Sequence, residues 1–325
     1  MTLLPAGPAL LLPVALLLDA ALGDPDWLWR RAPHPVVLMG RLLGWLDRKL
    51  NRGTDRAKRL GGIAALLLLI AATAAAAASL QWLCARHPLG FAVETLAVSI
   101  LIAQRSLYDH VRRVYSAFAD GDLAAAREAV SKVVGRDPNA LDTSGVCRAA
   151  IETTAENFSD GVVAPAFWYL VGGLPGIAIY KAVNTADSMI GHRSTRYRAF
   201  GWASARLDDV LNFVPARLSG VLTVLAAPFV GGSIGGAWRV MLRDAHLHRS
   251  PNAGWPEAAT AGALGIAIAG PRVYASGPVY DPYLNDEGRK DLRPKDIADS
   301  LRLFVAACAV QWILCAALAI SVLWL

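Results

Sequence analysis

Residues 61–83 carry no charged side chain. A run of that length crosses the hydrocarbon of a bilayer as a helix, which needs about 20 apolar residues. At that depth the backbone finds no water, so a spanning segment must be a helix or part of a closed barrel. Residues 303–325 form a second such run, and residues 3–22 a third apolar one whose single charge is Asp19. Weaker runs occupy 91–103, 161–180 and 218–234. The middle one is interrupted by Pro165, Gly172-Gly173 and Pro175-Gly176, and the apolar stretch 258–269 is too short to span straight. A chain of 325 residues would suggest two soluble domains, but a mean hydropathy of +0.39 overrules that. The fold class expected is all-α: a polytopic integral membrane protein with transmembrane helices plus broken or re-entrant helices lining a cytoplasmic-side site. Irregular backbone at membrane depth is tolerated where it lines a cavity.

Charge orients these runs. No Lys or Arg precedes the first one, whereas residues 23–60 hold nine Lys/Arg against four acids. That pattern fits a membrane helix with its N-terminus outside better than a cleaved signal, and marks 23–60 as cytoplasmic. The same logic keeps 104–160, 181–213, 236–257 and 271–302 on the cytoplasmic side of one integral membrane domain, 1–325. Within 104–160, Asp120-Gly121-Asp122 reads as the cap of an amphipathic helix and Asp137-Pro138-Asn139 as a turn. No internal repeat stands out. Cys84, Cys147, Cys308 and Cys315 have no Cys-x-x-Cys spacing, so neither a disulfide nor structural zinc is expected. The net charge of +6 lies in the loops and suits anionic lipid or phosphate. No basic stripe with interleaved aromatics points to nucleic acid.

Polar residues set beside membrane-length apolar runs mark a functional site. They crowd between Glu152 and Arg217 and again between Arg243 and Glu257. Glu152, Glu156 and Asp160 stand four apart, so a helix would align them as one acidic stripe, suited to Mg²⁺ with bound phosphates or simply to solvent. Asp160-Gly161 is expected to end that helix. Lys181, Asn184 and Ser188 share a face with Asp187 beside it; the lysine reads as a phosphate contact or as a snorkelling anchor. Gly191-His192-Arg193 is a turn presenting Arg193. Arg206, Asp209 and Asn212 step along one side of the next helix, while Asp208 points away from Arg206. The two aspartates suit a metal–phosphate group or structural pairing with Arg206 and Arg217. Pro215 should end or kink that helix. His246 and His248 are two apart and lack any His-Glu-x-x-His partner pattern, so zinc is not expected there. Trp255, in an irregular Pro-Asn-Ala-Gly-Trp-Pro loop, suits a planar ligand or an interfacial anchor. No Walker lysine loop or Gly-x-Gly-x-x-Gly is present.

These blocks closely resemble one family. They are Asp19-x-x-x-Gly-Asp-Pro25 with Pro33-His-Pro-Val36 and Met39-Gly40; Glu152-Thr-x-Ala-Glu-Asn-x-Ser-Asp-Gly-Val-Val-Ala-Pro165; and Tyr180-Lys-Ala-x-Asn-Thr-x-Asp-Ser-Met-Ile-Gly191 with Arg193. Phe200-Gly201, Ala205-Arg-Leu-Asp-Asp209 with Asn212 and Pro215-Ala-Arg217, and Arg243-Asp-Ala-x-x-His-x-Ser-Pro-Asn-Ala-Gly-Trp-Pro-Glu257 complete the set. Together they resemble the cobalamin-biosynthesis CobD/CbiB family, the adenosylcobinamide-phosphate synthases of bacterial inner membranes, over residues 19–277. One departure is Ala269-Gly-Pro271, where the family pattern leads one to expect Gly-Gly-Pro.

The resemblance implies an ATP-dependent acid–amine ligase in a bacterial inner membrane, multi-pass, with its active site facing the cytoplasm. It would join a propionate of adenosylcobyric acid to the amine of (R)-1-aminopropan-2-ol phosphate or a related amino-alcohol phosphate. Mg²⁺ would lie on Glu152, Glu156, Asp160, Asp187, Asp208 or Asp209, with ATP as co-substrate. Lys181, Arg193, Arg206, Arg217 and Arg243, with Asn184 and Asn252, are the candidates to hold the phosphates, Lys181 and Arg193 nearest the chemistry. His248 is the candidate base, and His34 and Trp255 the candidate corrinoid contacts. Besides the lipid bilayer, a homo-oligomer or a complex with other corrinoid-pathway proteins is compatible with this reading. The residues alone leave two rivals open: an Mg²⁺-dependent membrane transferase acting on a lipid diphosphate, and a non-enzymatic membrane sensor or transporter.

Overall fold

The computed structural model describes residues 7–119, 121–131, 141–274 and 277–324. The turn expected at Asp137-Pro138-Asn139, and Asp120 of the expected cap, lie outside them. Helix α1 is Pro8–Leu22, α2 the single turn Asp26–Trp29, α3 Pro35–Leu50, α4 Asp55–Cys84 and α5 Gly90–Ile100. Next come α6 (Gln104–Ala119), α7 (Leu123–Ser131) and α8 (Thr143–Phe158), then a π-helical turn, Ser159–Val163. Helices α9 (Ala164–Ile190), α10 (Trp202–Leu211), α11 (Phe213–Ala226), α12 (Ile234–Asp244) and α13 (Gly254–Leu264) follow. Strands β1 (Ile268–Tyr274) and β2 (Gly277–Leu284) precede α14 (Pro294–Leu323).

Among the described residues, five helical segments are long and apolar enough to cross a membrane: Asp55–Cys84, Gly90–Phe118, Thr143–Ile190, Phe213–Val230 and Pro294–Leu323. The chain is an all-α polytopic membrane protein. Helix α1 is apolar but shorter, and α13, with 11 residues, is too short to span, as its length in the sequence suggested. The expected helix end at Asp160-Gly161 does not occur. Gly161 keeps a negative φ, so instead of capping α8 it sits in the π turn that leads into α9.

The chain forms two compact units. The first comprises Met1–Ala103, Ala164–Asn212 and Cys315–Leu325; the second comprises Gln104–Val163 and Phe213–Leu314. The first unit is built on α3, α4 and α9. Met39, Leu43 and Leu46 recur at helical spacing on α3 and pack against Ala65, Leu66 and Leu69 of α4. Ala182, Val183, Ala186 and Ile190 of α9 close that core with Phe200. Small residues at these crossings let the helices approach closely, which drives association in a bilayer. Helix α9 is broken at Gly173, whose φ of 61° leaves the helical region, and Pro175 follows at once. Gln81 fills the space a Cβ on Gly173 would need, 2.6 Å from its Nε2. That amide and the Tyr169 hydroxyl both donate to Glu94 Oε1, at 3.1 and 3.0 Å, so the one acid of α5 is buried with its charge met.

In the second unit α13 is almost wholly buried against α8, α11 and α12. The segment 271–302, expected as loop, instead contains most of a β-hairpin and the first turns of α14. Strands β1 and β2 pair antiparallel from Ile268↔Leu284 to Tyr274↔Gly277. Their β-branched and aromatic residues favour strand. Pro271, Pro278 and Pro282 masked this in the sequence, yet a two-stranded sheet has only edge strands, where proline is tolerated.

The hairpin register shifts between Ala269 and Pro271, and both Ala269 (φ 60°) and Gly270 (φ 77°) are left-handed there. This is the place where the sequence departs from Gly-Gly-Pro. A glycine at 269 would adopt that backbone freely, whereas a Cβ costs about 1–2 kcal/mol. The Ala269 amide donates to Glu152 Oε1 at 2.8 Å, which holds the bulge in place. Ala269→Gly is therefore expected to raise the melting temperature of the detergent-solubilised protein by a few degrees, corresponding to about 1 kcal/mol. A fall would mean the site is not strained.

Candidate active site

In the first unit, α9 ends by presenting Lys181, Asn184 and Asp187 at three-residue steps, and α10 brings Asp208 and Asp209 to meet them. Asn184 Nδ2 donates to Asp208 Oδ1 at 3.3 Å and Asn212 Nδ2 to Asp208 Oδ2 at 2.9 Å. The Tyr180 hydroxyl donates to Asn212 Oδ1 at 2.9 Å, fixing that amide. Burial, reinforced by the Asp187 charge, pushes the Asp208 carboxyl up to about 7, against the pull of the two amides. Burial likewise raises Asp209, opposed by Arg206 and Arg193. Arg206 Nη1 lies 3.8 Å from Asp209 Oδ2, and both arginines are exposed. The sequence set Asn212 beside Arg206 and Asp209. The structure gives it to Asp208, four residues back on α10, where the two side chains share a face.

Two further features hold this arrangement. A Cβ on Gly191 would sit 1.9 Å from Asp187 Oδ1, so the turn after α9 needs glycine for the carboxylate to fold over it. Asp47 of α3 accepts from Arg196 Nη2 at 2.6 Å and from Asn51 Nδ2 at 2.8 Å, tethering the segment between α9 and α10. His34 is engaged within the same unit. Its Nδ1 caps α3 by accepting from Val36 N at 3.1 Å, and Nε2 faces the Ile100 carbonyl at 3.2 Å. The accepting Nδ1 places the ring proton on Nε2.

The second unit carries the remaining candidates. The Arg217 guanidinium lies between two rings, 3.7 Å from the Phe213 centroid and 4.6 Å from that of Trp255. Its Nη1 donates to Phe213 O at 2.6 Å and to Asn252 Oδ1 at 3.3 Å. One face of Trp255 is thus taken by a cation. Arg243 grips Asp244 with two bonds of 2.7 and 3.0 Å and reaches Glu287 at 3.1 Å. Burial works against the charge of Asp244, but the Arg243 fork and the Asn285 amide outweigh it and hold the carboxyl below its usual range. His248 Nδ1 accepts from Ser250 N at 3.0 Å, leaving Nε2 3.7 Å from the buried Glu257. Glu152 is buried on the hairpin, Glu156 is exposed and Asp160 is half-buried, so the three acids do not share one environment.

The structure therefore sorts the candidates. His34, Lys181, Asn184, Asp187, Arg193, Arg206, Asp208 and Asp209 belong to the first unit. Glu152, Glu156, Asp160, Arg217, Arg243, His248, Asn252 and Trp255 belong to the second. Sequence reasoning missed Tyr180, Asp244 and Glu257 as partners, although all three lie inside the quoted blocks. Asn285, which donates to two backbone carbonyls and whose own amide bonds Asp244, carried no such signal.

Among the described residues, no group of three or more His, Cys, Asp or Glu side chains is arranged to hold a metal ion. Mg²⁺ does not require one: it commonly keeps several waters and binds through one or two carboxylates and the phosphates of its ligand. Asp187 and Asp209, beside two exposed arginines, fit a nucleotide-borne Mg²⁺ of that kind better than a protein cage.

Comparison with known proteins matches residues 12–304 to the model of the CobD/Cbib protein family. A cobalamin biosynthesis protein CobD of Sinorhizobium sp. is 51% identical over 307 residues, covering 93% of this chain and 95% of that protein. CobD of Brucella suis is 49% identical over 300 residues (91% and 92%), and CobD of Rhodobacter capsulatus 48% over 303 residues (93% and 94%). No solved structure matches the chain. With the family model covering most of its length and relatives at half identity end to end, the chain belongs to the CobD/Cbib family.

Proposed function

We propose that the protein acts in cobalamin biosynthesis as an ATP-dependent ligase of a bacterial inner membrane, with its active site on the cytoplasmic side. The reaction joins a propionate of adenosylcobyric acid to the amine of (R)-1-aminopropan-2-ol phosphate, or a close relative, and gives adenosylcobinamide phosphate. The observation that carries this reading is the end-to-end likeness to proteins named cobalamin biosynthesis protein CobD.

A carboxylate is a poor electrophile. ATP converts it to an acyl phosphate with release of ADP, and attack by the amine then expels phosphate as the C–N bond forms. Mg²⁺, when bound with the nucleotide, offsets phosphate charge. Asp187 and Asp209 would hold that ion, and Asn184 and Asn212 fix the neighbouring Asp208. Arg193 and Arg206 are exposed beside these acids and make forked contacts to phosphate oxygens. Lys181 adds a third cation on the α9 face. The second unit carries its own anion-binding donors, Arg217, steadied by two rings, and Asn252, and its own proton acceptor, the His248–Glu257 pair.

Purified protein incubated with adenosylcobyric acid, Mg-ATP and the amino-alcohol phosphate is expected to yield a corrinoid heavier by the amide-linked group, with one ADP per product. An unchanged corrinoid mass together with no ADP would sink the reading. Conversion without ATP would replace the ligase mechanism.

A further inference from the structure

The second unit contains a groove with no part in the reaction above. It encloses about 650 Å³ between α6 and α14. From α6 come Tyr108, Arg112 and Tyr115, three and four residues apart and so on one face; Leu107, Val111 and Val114, about a quarter turn round the helix, are buried. From α14 the lining runs through Ala298, Arg302, Val305, Ala309 and Ile313, again a single face. At 1.5 Å per residue that stripe is about 22 Å long, and its part from Arg302 to Ile313, about 16 Å, is roughly half of the hydrocarbon thickness of about 30 Å.

Its chemistry changes along its length. Arg302 is the last charged residue before the uncharged run 303–325 at the end of the chain, so it marks the level where the spanning part of α14 begins. Arg112 and Arg302 are both exposed in the groove. Of the two, only Arg302 has a carboxylate partner among the described residues, Asp299 at 3.0 Å. Two guanidiniums against one carboxylate leave a net positive charge at the polar end. Tyrosines at that level are typical of the membrane interface, with the ring in the apolar layer and the hydroxyl in the wet one. Past Arg302 the wall is aliphatic.

We propose that this groove holds one anionic phospholipid. Its phosphate is gripped by Arg112 and Arg302, the Tyr108 and Tyr115 hydroxyls lie at the headgroup level, and one acyl chain lies along Val305, Ala309 and Ile313. The excess charge selects a lipid of net negative charge over a zwitterion bearing the same phosphate. The length of the aliphatic wall selects a lipid over free phosphate.

The test uses the full chain, purified in detergent and exchanged into phosphatidylglycerol or phosphatidylcholine at equal concentration, with bound lipid counted by native mass spectrometry. Wild type is expected to retain at least tenfold more phosphatidylglycerol than phosphatidylcholine and to gain several degrees of melting temperature from the former only. Arg112→Gln, which breaks no ion pair among the described residues, is expected to cut that retention at least fivefold at an unchanged lipid-free melting temperature. Ala309→Phe, filling the aliphatic wall, is expected to do the same by steric block. Equal retention of both lipids, wild-type retention in both variants, or the same stabilisation from inorganic phosphate alone would each overturn the proposal.

Discussion

Asp187→Asn is expected to lower turnover about a hundredfold or more while leaving the protein folded, and slightly more stable than wild type. The stability half follows from geometry. Asp187 faces two other aspartates, and its charge is one of the causes that raise Asp208. The amide removes that repulsion and leaves the Asn184 and Asn212 bonds to Asp208 intact. The activity half follows from the proposed chemistry: a preorganised group acting on developing phosphate charge is commonly worth two to three powers of ten in rate, about 3–4 kcal/mol. Opposite movement of stability and rate is the mark of a residue kept for function at the expense of the fold. The measurements are a melting scan and steady-state production of the amide. Near-normal turnover would remove Asp187 from the site, and a lower melting temperature would make its role structural.

The second large effect concerns the backbone that carries α10. A Cβ on Gly62 of α4 would lie 1.8 Å from the Phe200 carbonyl oxygen, and one on Gly201 would lie 1.7 Å from the Ile190 carbonyl oxygen. Both obstacles are backbone, so no side-chain rotation relieves them. Phe200 is fully buried and joins the core of α3, α4 and α9, so its carbonyl has no room to retreat. Gly62→Val and Gly201→Val are each expected to cost about 3 kcal/mol or more, at the upper end of what overpacking does. In practice the variants should emerge from solubilisation as aggregate on gel filtration. Gly172→Ala, where nothing lies within 4 Å of the new methyl, is the control and should elute as wild type. Monodisperse Gly62→Val would mean that the α4 crossing is looser than drawn.

Much of the membrane scaffold was legible because a bilayer imposes one requirement on every residue of a span. Residues 61–83 lie within α4 and 303–323 within α14, and the Gly-Gly and Pro-Gly pairs of 161–180 foretold the break at Gly173. Amphipathic α3 was hidden inside what read as a basic loop, since its apolar face is narrow and its charges are many. The hairpin was hidden by its prolines. The acids and amides around Asp187 were visible as polar residues crowding an apolar chain. Their pairing was not: whether Asn212 serves Asp208 or Asp209 depends on how α10 is turned, and that is set by Tyr180 on another helix. Arg243 was readable as a cation but not as one committed to Asp244 and Glu287.

The break at Gly173 sets how the candidate face of α9 tolerates changes in length. Upstream of it, an inserted residue can be absorbed where the helix is already interrupted. Between Pro175 and Asp187 there is no such slack, and one added residue turns everything after it by about 100° about the helix axis. Asp187 would then swing off the side where Asp208 and Asp209 wait. The angular phase of this short arm, more than its distance from the break, is what substitution and drift must preserve.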